Sequence, residues 1–241
     1  VALPGLAVAM AFYFMPDYRT VALVRPSGHG APGASGSMTW REAAGHLLVN
    51  RTLIFNNLAF AANTFVTTAL MTWLPSYLQR LEGISMSRAS AKGGAVMLMA
   101  VVGAPLGGWL ADRWLRTRPN ARMLFPALSS AVAAGMLGTA FGLLQGPPQY
   151  ALLLAAGVAA VAFVPAAVAV TQDVVHPGLR ATSLSLCVVV QHVLGSALGP
   201  PAVGALSDRL GLEAAMVFLP AGTLLAGSAA DMSLAIAKSS V

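Results

Sequence analysis

The sequence predicts an all-α integral membrane bundle, on three observations. Only 9% of its 241 residues are charged while 57% are hydrophobic, whereas a soluble domain carries about a quarter charged residues. Six segments reach the ~20 predominantly apolar residues that a bilayer crossing requires. The charges fall in the gaps between those segments, and no segment alternates polar and apolar residues as a half-buried strand does. The net charge of +6 therefore does not point to nucleic acid, whose binders gather Lys and Arg on a soluble, polar fold. The lipid bilayer is the first partner, and nucleic acid is excluded.

Taken in order, residues 1–15, "VALPGLAVAMAFYFM", are apolar but short. They lack the basic start and small-residue cleavage pattern of a signal peptide. The chain begins with Val, so this stretch is read as the end of a transmembrane helix whose start is missing. Residues 16–51 form a linker. Its Pro/Gly/Ser-rich run "RPSGHGAPGASGS" breaks regular structure, and Thr39 can cap a short surface helix, "WREAAGHLLVNR". Residues 52–241 are the membrane domain, with spans at about 52–75, 91–111, 121–145, 149–171, 182–206 and 214–236. Cys187, the only cysteine, rules out an intramolecular disulfide and a metal site built on several thiolates.

Orientation follows from the bias of Lys and Arg toward the cytoplasm. If the spans alternate, ten of the 14 basic residues share the side of residues 16–51 and the C-terminus. Arg80, Arg88, Lys92 and Arg209 take the other. The first side is read as cytoplasmic, in a cell (inner or plasma) membrane. Trp73 and Tyr77 fall where an outer aromatic belt would lie.

The densest block of charge is "GGWLADRWLRTRPNAR" (107–122). Gly103, Gly107 and Gly108 allow close helix approach, and Asp112 follows at the helix end. Four arginines serve the topology bias, but an acid adds nothing to it, so Asp112 asks for another role. The stretch resembles the loop signature of the major facilitator superfamily, roughly G-x-L-A-D-R-x-G-R-[KR]. The matching positions are Gly108, Leu110, Ala111, Asp112, Arg113, Arg116 and Arg118, with Leu115 where the family often has glycine. In that family the signature joins the second and third helices of each six-helix half, as it does among these spans. A gating role for Gly108, Asp112, Arg113, Arg116 and Arg118 is what the resemblance implies.

Residues 180–211, "RATSLSLCVVVQHVLGSALGPPAVGALSDRLG", resemble the tenth loop and eleventh helix of facilitator transporters. Gly195, Gly199 and Gly204 permit close packing. Pro200 and Pro201 remove two backbone donors and bend the helix, and Asp208 and Arg209 close the span. "TWLPSYLQ" (72–79) together with "GGWLAD" resembles the Spinster-like branch, whose members move lipids and other amphipathic molecules. The resemblance implies that 1–15 is the tail of a sixth helix, 16–51 the central cytoplasmic loop, and 52–241 helices seven to twelve. The partner is then a missing N-terminal six-helix half, in the same full-length chain or a separate one.

Polar residues inside spans are costly in hydrocarbon and face a cavity or a neighbouring helix. Asn56, Asn63 and Thr67 share one face of the first span, and Gln191 and His192 lie midway along the fifth. These five are the candidate lining of a pathway for a small-molecule substrate. No P-loop, H-E-x-x-H or G-x-S-x-G pattern occurs, so no cofactor and no metal are called for. An enzyme acting on lipid would have to use Gln191, His192 and Asp173, which offer no nucleophile–base pair at helical spacing. The expectation is half of a secondary transporter, an ion- or proton-coupled symporter or antiporter working by alternating access on a small organic or amphipathic solute; the alternatives are that lipid-processing enzyme and a non-transporting pseudo-transporter fragment.

Overall fold

The computed structural model describes residue 45, residues 47–118 and residues 121–239. They belong to a compact unit, Met38–Val241. The helix end expected at 1–15 and the linker up to residue 44 lie outside the described residues.

Eight α-helices make six candidate spans among the described residues: α1 (Arg51–Glu82), α2 (Met86–Leu115), α3 (Ala121–Gly142), α4 (Pro147–Asp173), α5 (Arg180–Val190), α6 (Gly199–Leu210), α7 (Leu212–Val217) and α8 (Leu219–Ser239). The fifth span is composite. A short 3-10 turn (Pro177–Leu179) leads into α5, and a π-helical turn (Gln191–Ser196) joins α5 to α6. α7 and α8 form the sixth.

The helices extend beyond the predicted spans at nearly every end. Hydropathy senses the hydrocarbon layer, whereas a helix continues until something caps it. For α1 that stop is Gly83, at φ 64°, whose N–H donates to Gln79 O at 3.0 Å. Only glycine enters that left-handed conformation without a Cβ penalty. At its other end Asn50 Oδ1 accepts from Leu53 N at 3.1 Å, while Asn50 Nδ2 donates to Val174 O at 2.9 Å. One side chain thus caps α1 and ties it to the end of α4. Asn50→Ala is expected to cost about 1–2 kcal/mol, read as a lower melting temperature in detergent.

Short connections make successive spans antiparallel. α4 packs against α2 and α3, α8 against α1 and α3, and the fifth span mainly against α1. The main core joins α1, α2, α3, α4 and α7 around Leu74, Leu78, Val96, Leu137, Leu153 and Met216. Proline rings seat on glycines at three helix contacts: Pro75 on Gly93, Pro165 on Gly108, and Pro220 on Gly138. A missing Cβ lets the ring approach the facing backbone.

Trp73 and Tyr77 do not form an outer belt. Trp73 Nε1 donates to Pro200 O at 2.9 Å, and the Tyr77 hydroxyl, in the core, accepts from Gln149 Nε2 at 2.9 Å. Both polar tips have partners inside the bundle, which outweighs the interfacial position their sequence register suggests. Gln149 also donates to Ala140 O at 2.9 Å, and Tyr77 meets Phe141 edge to face. Nearby, Lys92 pairs with Glu82 and stands over the Tyr150 ring, whose hydroxyl donates to Lys92 O at 3.1 Å.

Candidate functional site

Three helix faces meet around a cavity of about 300 Å³. α1 contributes Phe60, Asn63, Thr64 and Thr67, at i, i+3, i+4 and i+7. α4 contributes Val161, Val164 and Val168. The fifth span contributes Leu184, Cys187, Val188 and Gln191, again at i, i+3, i+4 and i+7. These spacings are the one-face periodicity of an α-helix. The lining is mostly apolar, with a polar patch where α1 faces Gln191, and it contains no charged residue.

The threonines are partly committed to their own helix. Thr67 Oγ1 donates to Asn63 O at 3.0 Å, and Thr68 Oγ1 to Thr64 O at 2.7 Å. Thr64 Oγ1 reaches Gln191 Oε1 at 3.4 Å, a long and weak bond. Asn63 is only 3% exposed, and its Oδ1 has no hydrogen-bond partner among the described residues. A buried amide oxygen left this way costs about 1–3 kcal/mol. Asn57 Oδ1 and Ser130 Oγ share that condition.

Of the five residues read as cavity lining, the structure brings Asn63, Thr67 and Gln191 together. Asn56 is not part of the wall. Its Nδ2 donates to Ala167 O at 3.1 Å and ties α1 to α4 two helical turns from Asn63. His192 is exposed and pairs with Ser196 Oγ at 3.2 Å, because one residue's rotation past Gln191 turns it away. Asp173 sits exposed at the end of α4, so Gln191, His192 and Asp173 do not meet in one site. Phe60, Thr64 and Cys187 went unread as lining. Their signal was helical spacing: Phe60 lies three residues before Asn63, Thr64 three before Thr67, and Cys187 four before Gln191.

The fifth span rests on α1 through its glycines. A Cβ on Gly195 would stand 2.7 Å from Ala61 O and 2.8 Å from Thr64 Cβ. Gly199 abuts Phe65 O and Thr68, and Gly204 lies against the Trp73 ring. Pro200 and Pro201 occupy the first turn of α6, where their missing N–H groups need no intrahelical partner. The irregularity falls before them, in the π-helical turn. Asp208 and Arg209 are exposed at the end of α6.

At the other charged end, Gly108 faces Pro165, and Asp112, Arg113, Arg116 and Arg118 are exposed. The turn closes without a glycine at Leu115. Thr117 N and Arg118 N both donate to Trp114 O, at 3.0 and 2.9 Å, and Thr117 Oγ1 donates to the same carbonyl at 2.8 Å. Three donors on one carbonyl do the work of a left-handed cap.

Six helices long and apolar enough to cross a bilayer among the described residues define a multi-pass helical membrane protein. The family model described as Major Facilitator Superfamily matches residues 1–200, and the chain belongs to that family. Within it the chain is a distant homologue of the spinster proteins. It is 28% identical over 225 residues to Protein spinster homolog 3 of Danio rerio, covering 87% of this chain and 44% of that one. It is 30% identical over 236 residues to Protein spinster homolog 1 of Bos taurus, covering 86% and 42%. The chain thus spans under half the length of these curated relatives. The fold matches the crystal structure of a bacterial homolog to the human lysosomal transporter Spinster, inward-facing and unoccupied. The TM-score is 0.69 at 20% identity, over 96% of this chain and 57% of that one.

Proposed function

We propose that this chain works as the C-terminal six-helix half of a secondary transporter that moves a small organic or amphipathic solute. Transport would be ion- or proton-coupled, by alternating access. The observation that carries the reading is the cavity between α1, α4 and the fifth span, apolar over most of its wall with a polar patch at Asn63, Thr64 and Gln191. Such a wall suits a solute with an apolar body and a hydrogen-bonding group. The fifth span adds support. It contacts α1 through glycines and carries a π-helical turn at Gln191, an irregularity frequent at functional sites.

The second six-helix half, in the same polypeptide or a separate one, faces the cavity and completes it. The fifth span buries the least of the six and leaves the surface it needs. The end bearing Arg113, Arg116 and Arg118 is cytoplasmic, in a cell membrane. Asp112, with those arginines and Gly108, holds one closed state through charge contacts and releases it in the other.

Two experiments test this. In proteoliposomes, the chain alone should show no coupled uptake, and co-reconstitution with a six-helix N-terminal half should restore it. Robust coupled uptake by the chain alone would defeat the reading. Asp112→Asn should slow transport about tenfold at unchanged insertion, the loss of about 1.4 kcal/mol from one conformational step. A normal rate at equal expression removes the gating role.

A further inference from the structure

The face of α2 turned away from the bundle has an order that the transport reading does not use. Gly103, Gly107 and Ala111 are buried; the two glycines back onto α4, at Val158 and Ala162, and Ala111 clusters with Phe125, Ala162 and Ala166. Across the helix from them runs an exposed stripe, Leu98 (64% exposed), Val102 (46%), Leu106 (43%) and Trp109 (58%). The next step along the stripe is Arg113, whose guanidinium stands 5.7 Å from the centre of the Trp109 ring. Arg116 and Arg118 follow within two turns, both exposed. No ion pair or hydrogen bond engages the three guanidinium groups among the described residues.

Length and charge together specify the occupant. Leu98 to Trp109 is eleven residues, about 16 Å of helix, which is the depth of one leaflet of a ~30 Å hydrocarbon core. An interfacial tryptophan marks the headgroup level, and arginine forks match phosphate oxygens bidentately. Three arginines against the one carboxylate of Asp112 leave net positive charge at that level, which attracts an anionic headgroup. Trp114, by contrast, turns inward onto Ala111, Phe125, Ala162 and Ala166, so the outward aromatic is a property of the stripe.

We infer that the loop end of α2 is a docking site for an anionic phospholipid. Its phosphate sits on Arg113 and Arg116, its glycerol backbone lies at the Trp109 ring, and one acyl chain lies along Leu106, Val102 and Leu98. A protein partner such as the second six-helix half is the other candidate for this stripe. An apolar protein face there would bury guanidinium groups that have no ion pair among the described residues, and the charge favours the lipid.

The test is quenching of Trp109 by brominated lipids, with the chain reconstituted at low salt. The signal lost in Trp109→Phe reports this site. Dibrominated phosphatidylglycerol is expected to associate about fivefold or more tightly than dibrominated phosphatidylcholine, from the ordinary contribution of one arginine near a charged surface. High salt should shrink the preference. Arg113→Gln with Arg116→Gln should bring it to about one, and the paired lysine substitutions should keep most of it. These positions are exposed, so folding is not at stake. Equal quenching by the two lipids overturns the inference, as does an unchanged preference in the glutamine variant. Trp109 quenched by neither lipid also overturns it, because protein then covers the stripe. Loss of transport with the lipid preference intact would count against the transporter reading alone.

Discussion

Gly107→Ala is expected to lower stability by about 1–3 kcal/mol, the usual cost of forcing atoms into a filled contact. A Cβ built there falls well inside contact distance of the Ala162 backbone, carbonyl oxygen included. Backbone cannot rotate aside as a long side chain can, so α2 and α4 must separate. The same helix supplies its own control. Gly94 has nothing within 4 Å of the added carbon, so Gly94→Ala should be neutral or stabilising by up to about 1 kcal/mol, since alanine is the better helix former. The contrast between the two is read by thermal unfolding in detergent. Equal melting temperatures would show that α2 and α4 are not in close contact at Gly107. The effect should reach the charged loop as well, because Asp112 lies only five residues further along the displaced helix.

The spacing of Gly103, Gly107 and Gly108 was legible as a close-approach signal, but not the helix it meets. α4 is a run of alanines and valines that looks alike on every side, so no residue in it announces Val158 or Ala162 as the contact. Which fifth-span residue faces the cavity was equally hard to read. Gln191 and His192 are adjacent, and the choice between them depends on helical phase, which a π-helical turn beginning at that point resets. The polar face of α1 was easier, since Asn63 and Thr67 are four apart in an unbroken helix. Trp73 and Tyr77 misled because their register places them at the outer end of α1, while their partners, Pro200 O and Gln149 Nε2, are distant in sequence. The turn after Leu115 rests on Thr117, an ordinary-looking residue whose hydroxyl happens to reach Trp114 O.

Asn63→Leu is expected to move stability and function in opposite directions. The substitution removes a buried amide oxygen that has no partner among the described residues. It puts an apolar side chain of similar size beside Phe60, Val161 and Val164, which share its cavity. Relief of an unsatisfied acceptor is worth about 1–3 kcal/mol. Part of that is offset by a branched side chain in a close-packed wall, so a gain of about 1 kcal/mol is expected. If Asn63 serves the solute, the same change should weaken binding about tenfold or more, the loss of one hydrogen bond to a buried polar group. Asn56→Leu separates the two effects. Asn56 has a partner, Ala167 O, so its loss should destabilise the bundle and leave binding affinity near normal. A residue kept only for packing would behave as Asn56 does. A residue that lowers stability while it raises affinity is maintained for the ligand, and that combination at Asn63 is what solute binding measured beside thermal unfolding would detect.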